Sequence, residues 1–213
     1  MSELTGTEKH KWPVDTSGKK VDPTQFYDFD KPLTHESGSD FDGIINKEGI
    51  FNGVFALEGL KGNALGSSGH HHTYIPRKDA VAREGSIDLD EERALDFIKN
   101  EYPDATQEQH EVIEAVAVRD KPLLDVVEDE YGEEDVVGFF NNLIYGDNAG
   151  EIEWVLQGLR GQIALDQGFD AIAMRDENGT SYLIPAGSKA LYLGKVNSYD
   201  DLEKIKSAEN THR

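Results

Sequence analysis

The chain has no cysteine among its 213 residues. A disulfide framework and thiolate metal ligation are therefore excluded, and nothing indicates secretion. No apolar run reaches the roughly 18 residues that suggest a membrane-spanning helix. The first twenty residues, MSELTGTEKHKWPVDTSGKK, lack the apolar segment of a signal peptide. We therefore expect a cytoplasmic protein.

Positive charge is also scarce, with 21 lysines and arginines against 42 acidic residues, a net charge of −21. Residues 88–135 hold 18 acids and 4 bases, and so contribute −14 of that total. Direct nucleic-acid binding is disfavoured because phosphate contacts need clustered lysines and arginines. The acidity indicates either a solvated surface that keeps the protein soluble or attraction to a basic partner, such as a nucleic-acid-binding protein.

Common nucleotide-phosphate loops and the serine-hydrolase elbow are missing, because G-x-x-x-x-G-K-[ST], G-x-G-x-x-G and G-x-S-x-G do not occur. The run His70, His71 and His72 suggests a metal site at first sight. Neighbouring side chains of an extended segment point to opposite faces, so the three cannot converge on one ion. We interpret the run as a loop and predict no metal site.

The order of strand-like and helix-like segments predicts an α+β domain. Residues 1–32 are polar and rich in turns, which favours an extended N-terminal arm. Strand patterns then precede and follow helical patterns within residues 33–194, and the acidic helical insert spans about residues 87–146. Residues 195–213 are expected to form a C-terminal helix and tail. Thr106, followed three residues later by Gln109, predicts a capping box in the insert.

The segment GFDAIAMRDENGTSYLI contains a strong hairpin signal, the dipeptide Asn178-Gly179. A two-residue turn there predicts that Asp176 faces Ser181 across the hairpin. Strand alternation predicts that Asp176 shares a face with Met174. From the residues alone, Asp176 either shapes the turn or is a carboxylate held at the edge of a core face.

Three segments together resemble the ADP-ribosyltransferases, and in particular the ADP-ribosylating anti-CRISPR proteins that disable the type I-F CRISPR surveillance complex. THES at 34–37 resembles the aromatic-His-Gly-Ser/Thr motif, and GIFNGVFAL at 49–57 follows at the expected interval. LRGQIALDQGFDAIAMRDENGTSYLIPAG at 159–187 resembles the C-terminal segment of the anti-CRISPR members over nearly thirty residues. The resemblance covers about residues 33–193.

This resemblance implies the ADP-ribosyltransferase-like split β-sheet fold, here with an inserted acidic helical block, and NAD as co-substrate in the cleft between two small sheets. By position, His35 would hold the nicotinamide ribose, and Ser37 would support the same motif. Phe55 would lie against the nicotinamide ring. Asp176 would be the acid on which transfer depends.

Two residues of the motif depart from the family pattern. Thr34 replaces the usual aromatic residue, and Glu36 replaces the glycine whose backbone would contact the carboxamide. Both are expected to belong to the NAD-binding motif, where a backbone contact can survive a change of side chain.

The resemblance therefore implies a mono-ADP-ribosyltransferase that modifies a protein target, namely a basic nucleic-acid-binding protein or CRISPR complex subunit in the host cytosol, with no contact to nucleic acid or membrane. Two other functions remain open at this point. One is a non-catalytic acidic inhibitor that occupies a basic groove. The other is a transferase or NAD glycohydrolase toxin that acts on another host protein.

Overall fold

The computed structural model describes residues 23–37, 45, 51–60, 70–127, 136–140, 143–176 and 179–210. Its strands, in chain order, are β1 (Leu33–Ser37), β2 (Gly53–Glu58), β3 (His70–Ile75), β4 (Val81–Ala82), β5 (Ala171–Asp176), β6 (Gly179–Pro185) and β7 (Leu191–Gly194). Within these residues the strands form one seven-stranded sheet in the order β4-β5-β6-β2-β1-β3-β7.

The sheet splits where β1 meets β2. These two strands pair only through Leu33 with Glu58 and Thr34 with Leu57. By contrast, β1 pairs with β3 along its whole length, and β2 pairs with β6 from Gly53 onward. The second half of β1 therefore separates from the first half of β2, as expected for the split sheet that the resemblance implies.

Helices fill the chain between β4 and β5 and follow β7. They are α1 (Gly85–Asp88), α2 (Glu91–Glu101), α3 (Gln107–Ala117), α4 (Leu123–Val127), α5 (Val136–Phe140), α6 (Ala149–Asp166) and α7 (Tyr199–Asn210). The capping box predicted for α3 is confirmed. The backbone N–H of Gln109 donates to the Thr106 hydroxyl, and the side-chain oxygen of Gln109 accepts from the backbone N–H of Thr106. None of the helices in the described ranges is long and apolar enough to span a membrane.

Three apolar clusters fill the spaces around the sheet. The largest lies between the helices and one face of β5 and β6, where Ile172 and Leu183 are fully buried. A second cluster, on the other face, contains Leu33, Tyr74 and Tyr192. The third lies between β3, β7 and α7. The α+β fold class is therefore confirmed, with helices on the sheet and an acidic helical block between β4 and α6.

Two sequence predictions are wrong. The predicted histidine loop is instead the beginning of β3, where His72 is buried within the sheet. The predicted hairpin register is also displaced, because Asp176 pairs with Gly179, and Ser181 pairs with Met174. Residues 177–178, which connect these strands, lie outside the described residues. Burial explains the register, since it places Ile172 opposite Leu183 in the core.

Part of the predicted arm lies against the domain. Residues 23–25 form a short 3-10 helix, Tyr27 bridges to Arg77, and Phe29 is buried in the third cluster. The domain boundaries proposed from the sequence, at residues 32 and 194, remain predictions.

Candidate active site

The predicted NAD-binding motif occupies β1, at the point where the sheet splits. The Thr34 hydroxyl donates a hydrogen bond to the Gly59 carbonyl at 2.8 Å, and Thr34 is buried. This hydrogen bond joins β1 to the residue that follows β2, next to the two residue pairs through which the strands are paired. Glu36 is exposed, and Ser37 pairs with His70 of β3. The structure therefore gives Thr34 a structural contact that the sequence did not reveal.

His35 is anchored to the neighbouring strand by its ring. Its Nδ1 lies 2.6 Å from the Phe55 carbonyl oxygen. Because a carbonyl can only accept, Nδ1 carries the proton and donates it. In the neutral ring Nε2 is then the acceptor nitrogen. Burial lowers the pKa of His35 below its ordinary value, and the Phe55 hydrogen bond and the Glu36 charge oppose that shift only in part. The ring is therefore neutral at pH 7.

This protonation state predicts how activity depends on pH. Acidification adds a proton to Nε2 and turns the acceptor into a donor, so kcat/KM should be constant above pH 7 and should fall with a midpoint below 6.5, the ordinary histidine pKa. Between the pKa of the folded protein and 6.5 the unfolded chain binds more protons, so the free energy of unfolding from this group rises with pH. The measurement is kcat/KM as a function of pH for the wild type and for His35→Gln. The variant should lack the decrease at low pH. A midpoint above 6.5 contradicts the assignment.

A second histidine lies beside the first, and sequence reasoning missed its position. The His35 and His72 ring centroids are 6.4 Å apart, and His72 Nδ1 lies 2.8 Å from the Tyr192 hydroxyl. Both His72 and Tyr192 are buried. The three groups come from β1, β3 and β7, and only the paired strands bring them together. Alternation of histidine and tyrosine along HHHTYI is the signal in the sequence that could have indicated a buried face.

Phe55 contributes its backbone and its ring to different sides of β2. The carbonyl anchors His35, whereas the ring packs beside the large helical cluster, 4.6 Å from the Phe51 ring in an edge-to-face arrangement. His35, in contrast, neighbours His72, whose other neighbour Tyr192 belongs to the second cluster. The structure therefore brings His35 and Phe55 together through a hydrogen bond, with their rings in different surroundings.

Asp176 is the last residue of β5, and its backbone pairs with Gly179. Two strands, β6 and β2, separate β5 from β1. Since β5 runs parallel to β2 and antiparallel to β1, Asp176 lies at the edge where β1 begins, while Ser37 lies at the edge where β1 ends. The backbone thus does not bring Asp176 next to the β1 motif, and the catalytic role of Asp176 remains a prediction.

A cavity of about 260 Å³ lies on the face of the second cluster, and none of the predicted site residues lines it. Its walls include Leu33, Glu58 and Tyr182. The Tyr182 hydroxyl donates to the Glu58 carboxylate at 3.1 Å, and burial, together with that hydrogen bond, raises the pKa of Tyr182. Arg77, also in the wall, is held by the fully buried carboxylate of Asp170. These polar groups of the cavity wall are paired with other protein groups. We therefore interpret the cavity as a structural feature and not as the active site.

The split sheet with helices packed on it agrees with an ADP-ribosyltransferase-like fold. The model of the family Anti-CRISPR Type I-F ADP-ribosyltransferase AcrIF11 matches residues 40–190, more than half of the chain, and the chain therefore belongs to that family. Membership makes the protein an NAD-dependent ADP-ribosyltransferase of the anti-CRISPR class, with NAD as the substrate that the family implies.

A solved structure described as a crystal structure of an anti-CRISPR protein is similar to this chain, with a TM-score of 0.46 and 21% sequence identity over 76% of this chain and 93% of the other. No curated protein matches the sequence.

Proposed function

We propose that the protein transfers ADP-ribose from NAD to a subunit of a type I-F CRISPR surveillance complex and thereby inactivates that complex in the host cytosol. The observation that carries this proposal is the family match over residues 40–190, which names both the reaction and the type I-F system. The geometry at the split of the sheet supports it.

The reaction exchanges one glycosidic bond for another. The bond between the ribose C1′ and the nicotinamide nitrogen breaks, nicotinamide leaves with the bonding electrons, and the acceptor atom of the target forms the new bond to C1′ and loses a proton. Positive charge develops on the sugar as it does in glycoside cleavage. We assign Asp176 the role of stabilising that charge; this assignment rests on the family resemblance alone, because the backbones of β5 and β1 do not bring Asp176 next to the ribose assigned to His35.

His35 is assigned to the ribose. Its neutral ring, fixed by the Phe55 carbonyl, offers Nε2 as an acceptor for a hydroxyl donor, which a sugar provides. An imidazole held by one nitrogen positions the other without further loss of side-chain freedom. The exposed carboxylates of α2 and α3, among them Glu91, Glu92 and Glu111, support docking to a basic protein surface.

The test is incubation of purified type I-F surveillance complex with the protein and NAD labelled in its ADP-ribose part. We expect label on one protein subunit of the complex, and only when the ADP-ribosyltransferase is added. Free labelled ADP-ribose without a modified subunit would instead indicate a glycohydrolase, and label on another protein of a host lysate would indicate a different target. Inhibition of the complex without NAD would indicate a binding inhibitor and would contradict the proposal.

The change His35→Asn should separate the two roles of the ring. The asparagine amide can still donate to the Phe55 carbonyl, but it has no group at the position of Nε2. We expect kcat/KM for NAD to fall about 10-fold, the value of roughly one hydrogen bond to the substrate. Steady-state kinetics with a purified acceptor measures it.

His71→Asn is the matched control for that variant. His71 lies on the neighbouring strand, opposite Glu36, and should retain wild-type kinetics. Equal losses in both variants, or none in His35→Asn, would remove His35 from the site.

A further inference from the structure

The His35 ring lies where the sheet splits and makes a connection that the two backbones no longer make. β1 and β2 pair through Leu33 and Thr34, and the next residue, His35, contacts the Phe55 carbonyl with its side chain. This hydrogen bond fixes the position of Nδ1, but the ring can still tilt about that nitrogen, and a tilt moves Nε2. Because a hydrogen bond weakens steeply as its alignment is lost, Nε2 needs a second contact to hold it in line with a ribose hydroxyl.

His72 supplies that contact from the neighbouring strand. It lies directly opposite His35 in the pairing of β1 with β3, so both side chains are on the same face of the sheet. Their ring centroids are 6.4 Å apart, and the ring planes are inclined by 32°. His72 is buried, whereas His35 is half-buried. A fully enclosed ring therefore lies beside the partly accessible ring that is assigned to the substrate.

Tyr192 of β7 holds His72 from the other side. The Tyr192 hydroxyl lies 2.8 Å from His72 Nδ1, and the two rings are stacked with centroids 6.0 Å apart and an interplanar angle of 24°. The Tyr74 ring packs in turn beside Tyr192, with centroids 5.2 Å apart. Each buried ring is thus confined by the next, so His72 cannot move away from His35 without breaking its hydrogen bond and this stack.

The pairing of β3 with β7 is irregular at this contact. Tyr74 pairs with Tyr192, but Thr73 pairs with Gly194, so Leu193 is an extra residue in β7. Leu193 packs in the third cluster, whereas Tyr192 packs in the second. Bulges of this kind redirect side chains and are frequent next to active sites. The irregularity therefore lies in the strand segment that carries the partner of His72.

We propose that His72, held by Tyr192, is a positioning residue that sets the tilt of the His35 ring and thereby directs Nε2 to the ribose; this inference rests on the proposed function. Both residues are buried and act through His35. The effective part of His72 is its ring, which occupies the space beside His35, and the hydrogen bond to Tyr192 orients that ring. Loss of the ring should lower kcat/KM for NAD by no more than loss of the His35 ring does.

Two substitutions separate the ring of His72 from its hydrogen bond. His72→Asn keeps a polar group for Tyr192 but removes most of the ring, and we expect kcat/KM for NAD about 3-fold to 10-fold below wild type. His72→Phe restores a ring of similar volume without the nitrogens and should lie within about 2-fold of wild type. If the role of His72 were only structural, His72→Phe would lose activity as well, because it also loses the hydrogen bond to Tyr192.

Tyr74→Leu is the control for loss of packing. It removes a ring from the same buried cluster and should keep the wild-type kcat/KM below its unfolding temperature. Thermal unfolding followed by circular dichroism gives that temperature for every variant. If His72→Asn does not fold, His72→Gln takes its place with the same expectation, since its side chain is closer in volume to histidine.

A double-mutant cycle shows whether His72 acts through His35. His35→Asn combined with His72→Asn should have the same kcat/KM as His35→Asn alone, because the ring that His72 positions is already absent. Losses that multiply in the double variant would mean that the two residues act independently, and would overturn the inference.

Failure of the inference can be distinguished from failure of the proposed function. If the wild type transfers label and His35→Asn is impaired, but His72→Asn has wild-type kinetics or His72→Phe loses as much as His72→Asn, His72 does not position His35, and the proposed function stands. If the wild type neither binds NAD in calorimetry nor transfers label, the proposed function fails and the inference fails with it.

Discussion

Asp176→Asn is expected to lower the rate of ADP-ribose transfer on the order of 100-fold to 1000-fold, the usual cost of removing one preorganised group that stabilises charge in a transition state. The change keeps the size and shape of the side chain and removes its negative charge. Because the charge on the sugar exists only as the bond breaks, the loss should appear in kcat, with NAD binding retained.

The backbone of Asp176 belongs to a regular strand pair. Asp176 ends β5 and pairs with Gly179, and the connection between the strands is only two residues long. A strand end that is held by backbone pairing varies less in position than a long loop, which is what a preorganised charge requires. The pairing of β5 with β6 also continues into the buried core, where Ile172 lies opposite Leu183. Core packing therefore holds this end of the hairpin in place.

Glu177→Gln is the matched control, since it removes a neighbouring carboxylate from the same hairpin. The measurement is transfer of label from NAD under saturating and limiting NAD, with calorimetry for NAD binding and circular dichroism for the fold. Full activity of Asp176→Asn, or an equal loss in Glu177→Gln, would remove Asp176 from the mechanism.

Local signals in the sequence predicted the elements well and their pairing less well. The capping box of α3 depends on contacts within three residues and is present, and α7 forms within residues 195–213 as predicted. The hairpin exists as predicted, but its register follows the buried pair Ile172 and Leu183 rather than the preference of Asn178 and Gly179 for a turn. Long-range burial therefore decided what local turn chemistry left ambiguous.

The candidate site was predictable only in part, for the same reason. The motif on β1 could be found from four consecutive residues, and His35 does contact the second segment at Phe55. The neighbouring His72 and Tyr192 are 120 residues apart in sequence, and only the strand order brings them together.

The Leu-Arg-Gly turn in α6 illustrates how a motif that suggests a family can have a structural cause. Arg160 is 2% exposed, and its guanidinium donates to the carbonyls of Val116 and Ala117 at 2.6 and 2.8 Å. These are among the last carbonyls of α3, which have no partner within their own helix. Arg160 also forms an ion pair with Asp120, just beyond the end of that helix. One side chain thus joins α6 to the C-terminus of α3.

Arg160→Met should therefore destabilise the fold by about 3–5 kcal/mol, because a methionine of similar length leaves two buried carbonyls and one carboxylate without their donor. For a chain of this size the midpoint of thermal unfolding should fall on the order of 10 °C. Arg93→Met is the control, because Arg93 and Asp166 form an ion pair with side chains 55% and 46% exposed, for which about 0–1 kcal/mol is expected. Urea unfolding of the two variants measures the difference directly. Similar midpoints for both would mean that the α3 carbonyls find water or other donors, and that the Arg160 contacts do not hold α6 to α3.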